Sequence, residues 1–266
     1  MTIERDNKIL KSSSFPKEKF YLFFQMLETD EYLFRSDEDN YIIGRGNPGY
    51  PIWIWLKKGI SLKKQDEVKK ELETYYLMSE ENILTCPKDC YEIIKNMGRT
   101  KKDSEIGFLI CKKVNDISLS SGFMDKPSIS ELDILREIWK ENCQESFPEE
   151  KQTEEEVIKE IRNFIKSGRY YVWRDNKGNI TSTAYYSTEQ DMAKISHVYT
   201  KKEERNKGYA TSLVYQLTKE LLNRHYQPLL YTDYQYKPSN YIYQKIGYEI
   251  QEIFIKFKMM KGGNHD

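Results

Sequence analysis

Apolar positions along the chain change period several times, and each change predicts an element. Phe20, Phe23, Phe24 and Leu27 recur at helical spacing, which predicts a helix over 15–33 behind a polar, frayed tail. Residues 40–57 read as two short strands around the turn-forming run Gly44-Arg45-Gly46-Asn47-Pro48-Gly49. Leu62, Val68, Leu72 and Tyr76 give a helix over 61–77 one apolar side. A short strand follows at 83–85, a helix over 87–97 stopped by Gly98, and a strand over 106–112. Over 115–127 Ser and Asp cluster, and Gly122 and Pro127 punctuate the chain, which places a domain boundary there.

Beyond it the pattern sharpens. Leu132, Leu135, Ile138 and Trp139 predict a helix over 130–142. Thr153 followed three residues later by Glu156 is a capping box, opening a second helix that carries Val157, Ile158, Ile161, Phe164 and Ile165 and ends at Gly168. Strands are expected at 170–174, 180–187 and 193–200, the first two joined by a hairpin turn at 175–179. A helix over 210–223, a strand over 228–233, a short helix over 238–245 and a strand over 249–258 complete the order. Early strands joined by hairpins and later ones by helices imply an α/β chain (α+β in its mixed sheet) with helices on the sheet faces. The expected division is an accessory α/β domain over 1–115 and a second domain over 116–266.

Charge removes some function classes. Lys plus Arg and Asp plus Glu are each 42, so the formal net charge of zero draws the chain neither to nucleic acid nor to an acidic membrane. No apolar run is long enough to span a bilayer, and the first residues lack the apolar core of a secretion signal, so the expected compartment is the cytoplasm. In a reducing compartment Cys86, Cys90, Cys111 and Cys143 are expected as free thiols. Cys86 and Cys90 have zinc-like spacing, but no second pair completes four ligands, so no metal is expected.

The stretch from His197 through Thr211 is a strand, a polar loop and a helix start. A helix N-terminus presents unpaired N–H groups and about half a positive charge, which suits a pyrophosphate if its backbone can be approached. Gly208 has no side chain and Ala210 almost none, while Arg205 and Lys207 add charge. Taken alone, this is equally a basic turn entering a helix. The later run Lys237-Pro238-Ser239-Asn240-Tyr241-Ile242-Tyr243-Gln244-Lys245-Ile246-Gly247-Tyr248 puts Asn240 and Tyr243 on one helical face.

Together these two segments resemble the GNAT superfamily of N-acetyltransferases. Arg205, Gly208 and Ala210 match its R/Q-x-x-G-x-G/A signature, and Tyr243, Gly247 and Tyr248 its later Tyr-x-x-x-Gly-Phe/Tyr signature. The resemblance covers roughly residues 122–258 and is closest to a bacterial two-domain subgroup, whose N-terminal part is a degenerate GNAT-like half. It implies that acetyl-CoA is the co-substrate and a primary amine of a small molecule or protein the acceptor. Val198, Tyr199 and Thr200 would pair with the pantetheine arm, and the amides of Arg205, Asn206, Lys207, Gly208, Tyr209, Ala210 and Thr211 would hold the pyrophosphate. Asn240 would lie near the cofactor, and Tyr243 would protonate the departing thiolate. Where the family often has a second Asn, seven residues before that Tyr, this chain has Tyr236.

The base that frees the amine stays open between His197 on the key strand, Asp233 at its strand end, Glu145 and a water. A non-catalytic acyl-CoA sensor is the alternative function, sharing the loop but not requiring Tyr243. Oligomeric state is left open, a homodimer included.

Overall fold

The computed structural model describes residues 21, 33–37, 40–46, 51–78, 83–146 and 152–260. The helix expected over 15–33 falls outside them except at Tyr21, which is helical, and Leu33, which opens a strand; residues 47–49 of the glycine-rich turn also fall outside. The chain divides into two compact units, residues 1–108, 232–236 and 250–266 forming the first and 109–231 with 237–249 the second. The first cut thus falls before the expected 115/116 boundary, and the last strand returns to the first unit because it pairs there.

In the first unit the strands stand in the order β1 (Leu33–Asp37), β2 (Tyr41–Arg45), β3 (Ile52–Leu56), β4 (Leu84–Pro87), β11 (Glu249–Met259) and β5 (Thr100–Ile110). Hairpins make β1–β2 and β2–β3 antiparallel, whereas helix α1 (Leu62–Met78) returns the chain so that β4 runs parallel to β3. All five residues of β3, Ile52-Trp53-Ile54-Trp55-Leu56, are buried, which is why its apolar run is continuous instead of alternating. Val68 and Leu72 of α1 and Cys90 and Ile94 of α2 (Lys88–Ile94) close one core with Ile43, Ile54, Leu84, Ile255 and Phe257. Cys86 and Cys90 are buried thiols, and burial pushes both above the ordinary cysteine range. No group of three or more His, Cys, Asp or Glu that could hold a metal occurs among the described residues.

The second unit orders β10 (Gln227–Asp233, whose residues 227–231 lie in this unit), β9 (Met192–Thr200), β8 (Ile180–Glu189), β7 (Tyr170–Arg174) and β6 (Phe123–Asp125). Period-two alternation sorts its side chains. Tyr171, Trp173, Ala184, Tyr186, Ala193 and Ile195 meet Leu213, Val214, Leu217 and Leu221 of α5 (Tyr209–Asn223) on one face, with Tyr243 and Ile246 of α6 (Lys237–Ile246). Tyr170, Val172, Ile180 and Tyr199 meet α3 (Leu132–Ser146) and α4 (Glu154–Ser167) on the other. Each large apolar side chain so buried contributes about 1.5–3 kcal/mol. The capping box forms as read: the Thr153 hydroxyl accepts from the Glu156 N–H at 3.3 Å, and the Glu156 carboxylate accepts from the Thr153 N–H at 2.7 Å. Strand β6 was missed, being three residues long. Arg174 fixes it, donating to Asp125 at 2.7 Å and to Glu131 at 2.7 and 3.0 Å. Gly122, just before it, has φ +115°, and a Cβ there would lie 2.0 Å from the Arg174 carbonyl oxygen.

Candidate active site

Strand β9 is irregular where the sequence places the chemistry. Its register with β8 pairs Thr183 with Tyr199 and Tyr185 with Ser196, so Ala184 alone faces His197 and Val198, a β-bulge. His197 takes φ +52°, a left-handed conformation that costs a non-glycine residue about 1–3 kcal/mol and persists only under packing. Packing is there: its ring stacks on Trp139 at 4.6 Å and meets the edge of Phe164 at 5.2 Å. On the other side β9 pairs with β10 in parallel only from Met192 to Lys194, against Gln227 to Leu229. From Ile195 to Thr200 that edge of β9 is not paired with β10.

The edge leads into the loop. A 3-10 turn over Lys202–Glu204 is followed by Asn206 at φ +63° and Gly208 at φ +77°, which caps α5. Among the described residues, no hydrogen bond inside the chain uses the backbone N–H of any residue from Asn206 to Thr211. Six amides without a partner in the chain, at a helix N-terminus, are groups that can bind an anion. The Arg205 amide is not one of them, since it donates to the Lys202 carbonyl at 3.4 Å. The Arg205 side chain instead ties the loop down. Its Nε donates to the Thr200 carbonyl at 3.2 Å, one terminal nitrogen donates to Glu145 at 2.6 Å, and its guanidinium lies 5.1 Å from the centre of the Tyr199 ring. Lys207 pairs with Glu204 at 2.8 Å.

Ser120 pins the loop from behind. Its hydroxyl donates to the Lys207 carbonyl at 2.6 Å, and its N–H donates to the Ser212 hydroxyl at 2.8 Å, which itself donates to the Gly208 carbonyl at 3.1 Å. The Lys207 and Gly208 carbonyls are thus both engaged by hydroxyls. A Cβ on Gly208 would lie 2.6 Å from the Ser120 Oγ.

Tyr243 lies buried on α6 in the core cluster against which Val198 and Tyr209 pack, its ring 5.9 Å from that of Tyr248. Burial pushes its phenol up to about 12, so it keeps its proton across the neutral range. Asn240 is half-buried one turn before it. His197 is pushed down to about 4, first by burial and then by Lys194, so its ring is neutral and weakly basic. For Glu145, burial opposes ionisation but the hydrogen bonds from Arg205 and Lys202 outweigh it, holding the carboxyl below the usual range. Asp233 is exposed in the first unit and accepts the Gln235 N–H at 2.8 Å.

Comparison with known proteins bears on the fold. Residues 177–255 match the family model described as FR47-like protein, a GNAT-like family, and no curated protein matches the chain in sequence. A GNAT-family acetyltransferase from Colwellia psychrerythraea superposes with TM-score 0.68 at 11% identity, covering 96% of this chain and 94% of its own. A GCN5-related N-acetyltransferase from Kribbella flavida gives 0.62 at 12%, covering 91% and 94%. A tandem GNAT protein of the clavulanic acid biosynthesis pathway gives 0.58 at 9%, covering 97% and 94%. This chain has the GNAT fold.

Within the GNAT fold, the residues singled out in sequence fall into two groups. Val198 to Thr200 and Asn206 to Thr211 follow one another along strand edge and loop, and Tyr243 lies in the core cluster against which Val198 packs. Glu145 and Arg205 act on each other instead, and Asp233 lies in the first unit. Ser120 was missed because it is 92 residues from Ser212, and no local pattern marks a serine in a polar loop. The same holds for Glu141 on α3, which accepts the Tyr199 hydroxyl at 3.2 Å.

Proposed function

We propose that this chain is an acetyl-CoA-dependent N-acetyltransferase that moves an acetyl group directly to a primary amine of a small molecule or protein. The observation that carries the reading is the continuity of the unpaired β9 edge with the six free amides at the start of α5. The edge of Val198 to Thr200 offers an extended arm the hydrogen bonds of an added strand. The amides and helix N-terminus then take the pyrophosphate that ends such an arm. A backbone N–H of Val198 to Thr200 stabilises the oxyanion as the amine attacks the thioester carbonyl. Tyr243, carrying its proton, donates a hydrogen bond or proton to the leaving thiolate, and Asn240 helps line the same end of α6. Holding both reactants in line supplies much of the remaining acceleration.

The tandem GNAT relative supports reading the N-terminal part, residues 1–115 in sequence terms, as a second, divergent GNAT-like half beside a transferase domain over 116–266. The expected setting is the cytoplasm. Burial of Tyr243 in the core favours one rival, an acyl-CoA sensor in which that ring only packs. Tyr243→Phe separates the two. The transferase reading expects turnover of a panel of primary amines to fall about ten-fold or more, with acetyl-CoA affinity unchanged. Unchanged turnover removes Tyr243 from the chemistry.

A further inference from the structure

The base that frees the acceptor amine is a separate question. His197 is neutral and weakly basic, and Glu145 is held ionised by two cations. Besides His197 and the phenol of Tyr199, the strand carries one lysine. Lys194 is the last β9 residue in register with β10, opposite Leu229, so it stands where the two strands part. Its neighbours Ala193 and Ile195 point into the α5 core, which turns Lys194 toward the α3–α4 face, the face that carries His197 and Tyr199. Its antiparallel partner on β8 is Ser187. Lys194 is half-buried there.

We propose that Lys194 is the general base of the transfer. The inference rests on the acyltransferase reading and adds a residue to it. The acceptor ammonium gives a proton to the uncharged Lys194 Nζ, and the freed amine attacks the thioester carbonyl. As the C–S bond breaks, the adduct nitrogen loses a second proton and the thiolate gains one. One proton per turnover therefore leaves through Lys194 to solvent.

Physical chemistry supports the assignment. Burial pulls the Lys194 ammonium down to about 8, close to where a base works best near neutral pH. Among the described residues the titratable groups on this face are few. His197 on β9 stays neutral, the phenols of Tyr170 on β7, Tyr185 on β8 and Tyr199 on β9 are all raised by burial and keep their protons, and Glu141 on α3 accepts the Tyr199 hydroxyl. Tyr231 on β10 is a further phenol, and Glu160, midway along α4, and Arg169, just beyond its C-cap, bear on Tyr185.

Two measurements test this. Competitive labelling with limiting acetic anhydride over a pH series, read by peptide mass spectrometry, needs neither acceptor nor cofactor. Lys194 is expected to titrate near 8, and a midpoint in the ordinary lysine range, about 10.4, overturns the proposal. With a panel of aryl, alkyl and peptide amines, kcat/KM of the wild type should rise with pH through that same value. Lys194→Met and Lys194→Arg should each lower it about 100-fold and lose the bend, while calorimetric acetyl-CoA affinity stays within about two-fold. Variants that keep the bend overturn the proposal. Wild-type protein that fails to bind acetyl-CoA sinks the acyltransferase reading instead, and the labelling midpoint still decides the state of Lys194.

Discussion

Replacing Gly208 by alanine puts a methyl group where the structure has no room and a side chain where the backbone does not favour one. Gly208 sits at φ +77°, and the left-handed region costs an L-residue about 1–2 kcal/mol. The new Cβ would lie 2.6 Å from the Ser120 Oγ, so that hydroxyl must swing away and give up its bond to the Lys207 carbonyl. A hydrogen bond of that kind contributes about 1 kcal/mol. The sum, about 2–3 kcal/mol, is relieved if the loop relaxes to another conformation, and a relaxed loop no longer aims its amides together. Acetyl-CoA affinity should then fall by about 30- to 150-fold. Isothermal titration of wild type, Gly208→Ala, Ser120→Gly and the double variant is the assay. Ser120→Gly removes the clash, so the double variant should bind better than the sum of the single losses allows, leaving only the backbone part of the penalty. Full affinity in Gly208→Ala would refute the reasoning, as would strict additivity of the two losses.

Three other outcomes follow from the same geometry. Arg174→Met leaves the Asp125 and Glu131 carboxylates facing each other without their cation, and should lower stability by about 2 kcal/mol in a denaturant titration. The Glu131 carboxyl is lowered chiefly by its hydrogen bond to Arg174, so that stability is present above the ordinary glutamate range and is lost as pH falls through the folded-state value; the variant should unfold with a flatter dependence in acid. His197 is lowered to about 4, so the unfolded chain takes up its proton first and wild-type stability should fall from about pH 6.5 toward 4; His197→Gln should remove that decline, and an imidazole titrating near 6.5 by NMR would contradict it. Glu145→Gln frees Arg205 and removes a negative charge beside the anion loop, so CoA should bind about five-fold tighter at low salt, an effect that shrinks as salt rises.

Elements with strong local signals were legible in the sequence. The α4 helix declared both ends through Thr153, Glu156 and Gly168, and β7 was bounded by that glycine and the Asp175–Asn179 turn. The loop ahead of α5 was legible because glycine and alanine in fixed positions are what a close approach to a helix N-terminus requires. Strands β1 and β6 were not, since Arg35, Ser36 and Asp37 show no apolar alternation and three residues cannot show a period. Nor was the bulge: nothing local says that a histidine will take a left-handed turn, because the cause is the Trp139 and Phe164 rings packed on it from two other helices. For the same reason the pairing of Glu145 with Arg205 and Lys202 was not legible, since its partners lie about 60 residues away in sequence.

Calorimetric titration of the wild-type protein with acetyl-CoA, and separately with free CoA, tests the central claim most directly. The account predicts saturable binding of both at one site per chain, with Kd on the order of micromolar and abolished by Gly208→Val. Absence of heat with either ligand, or binding that survives Gly208→Val unchanged, would contradict it.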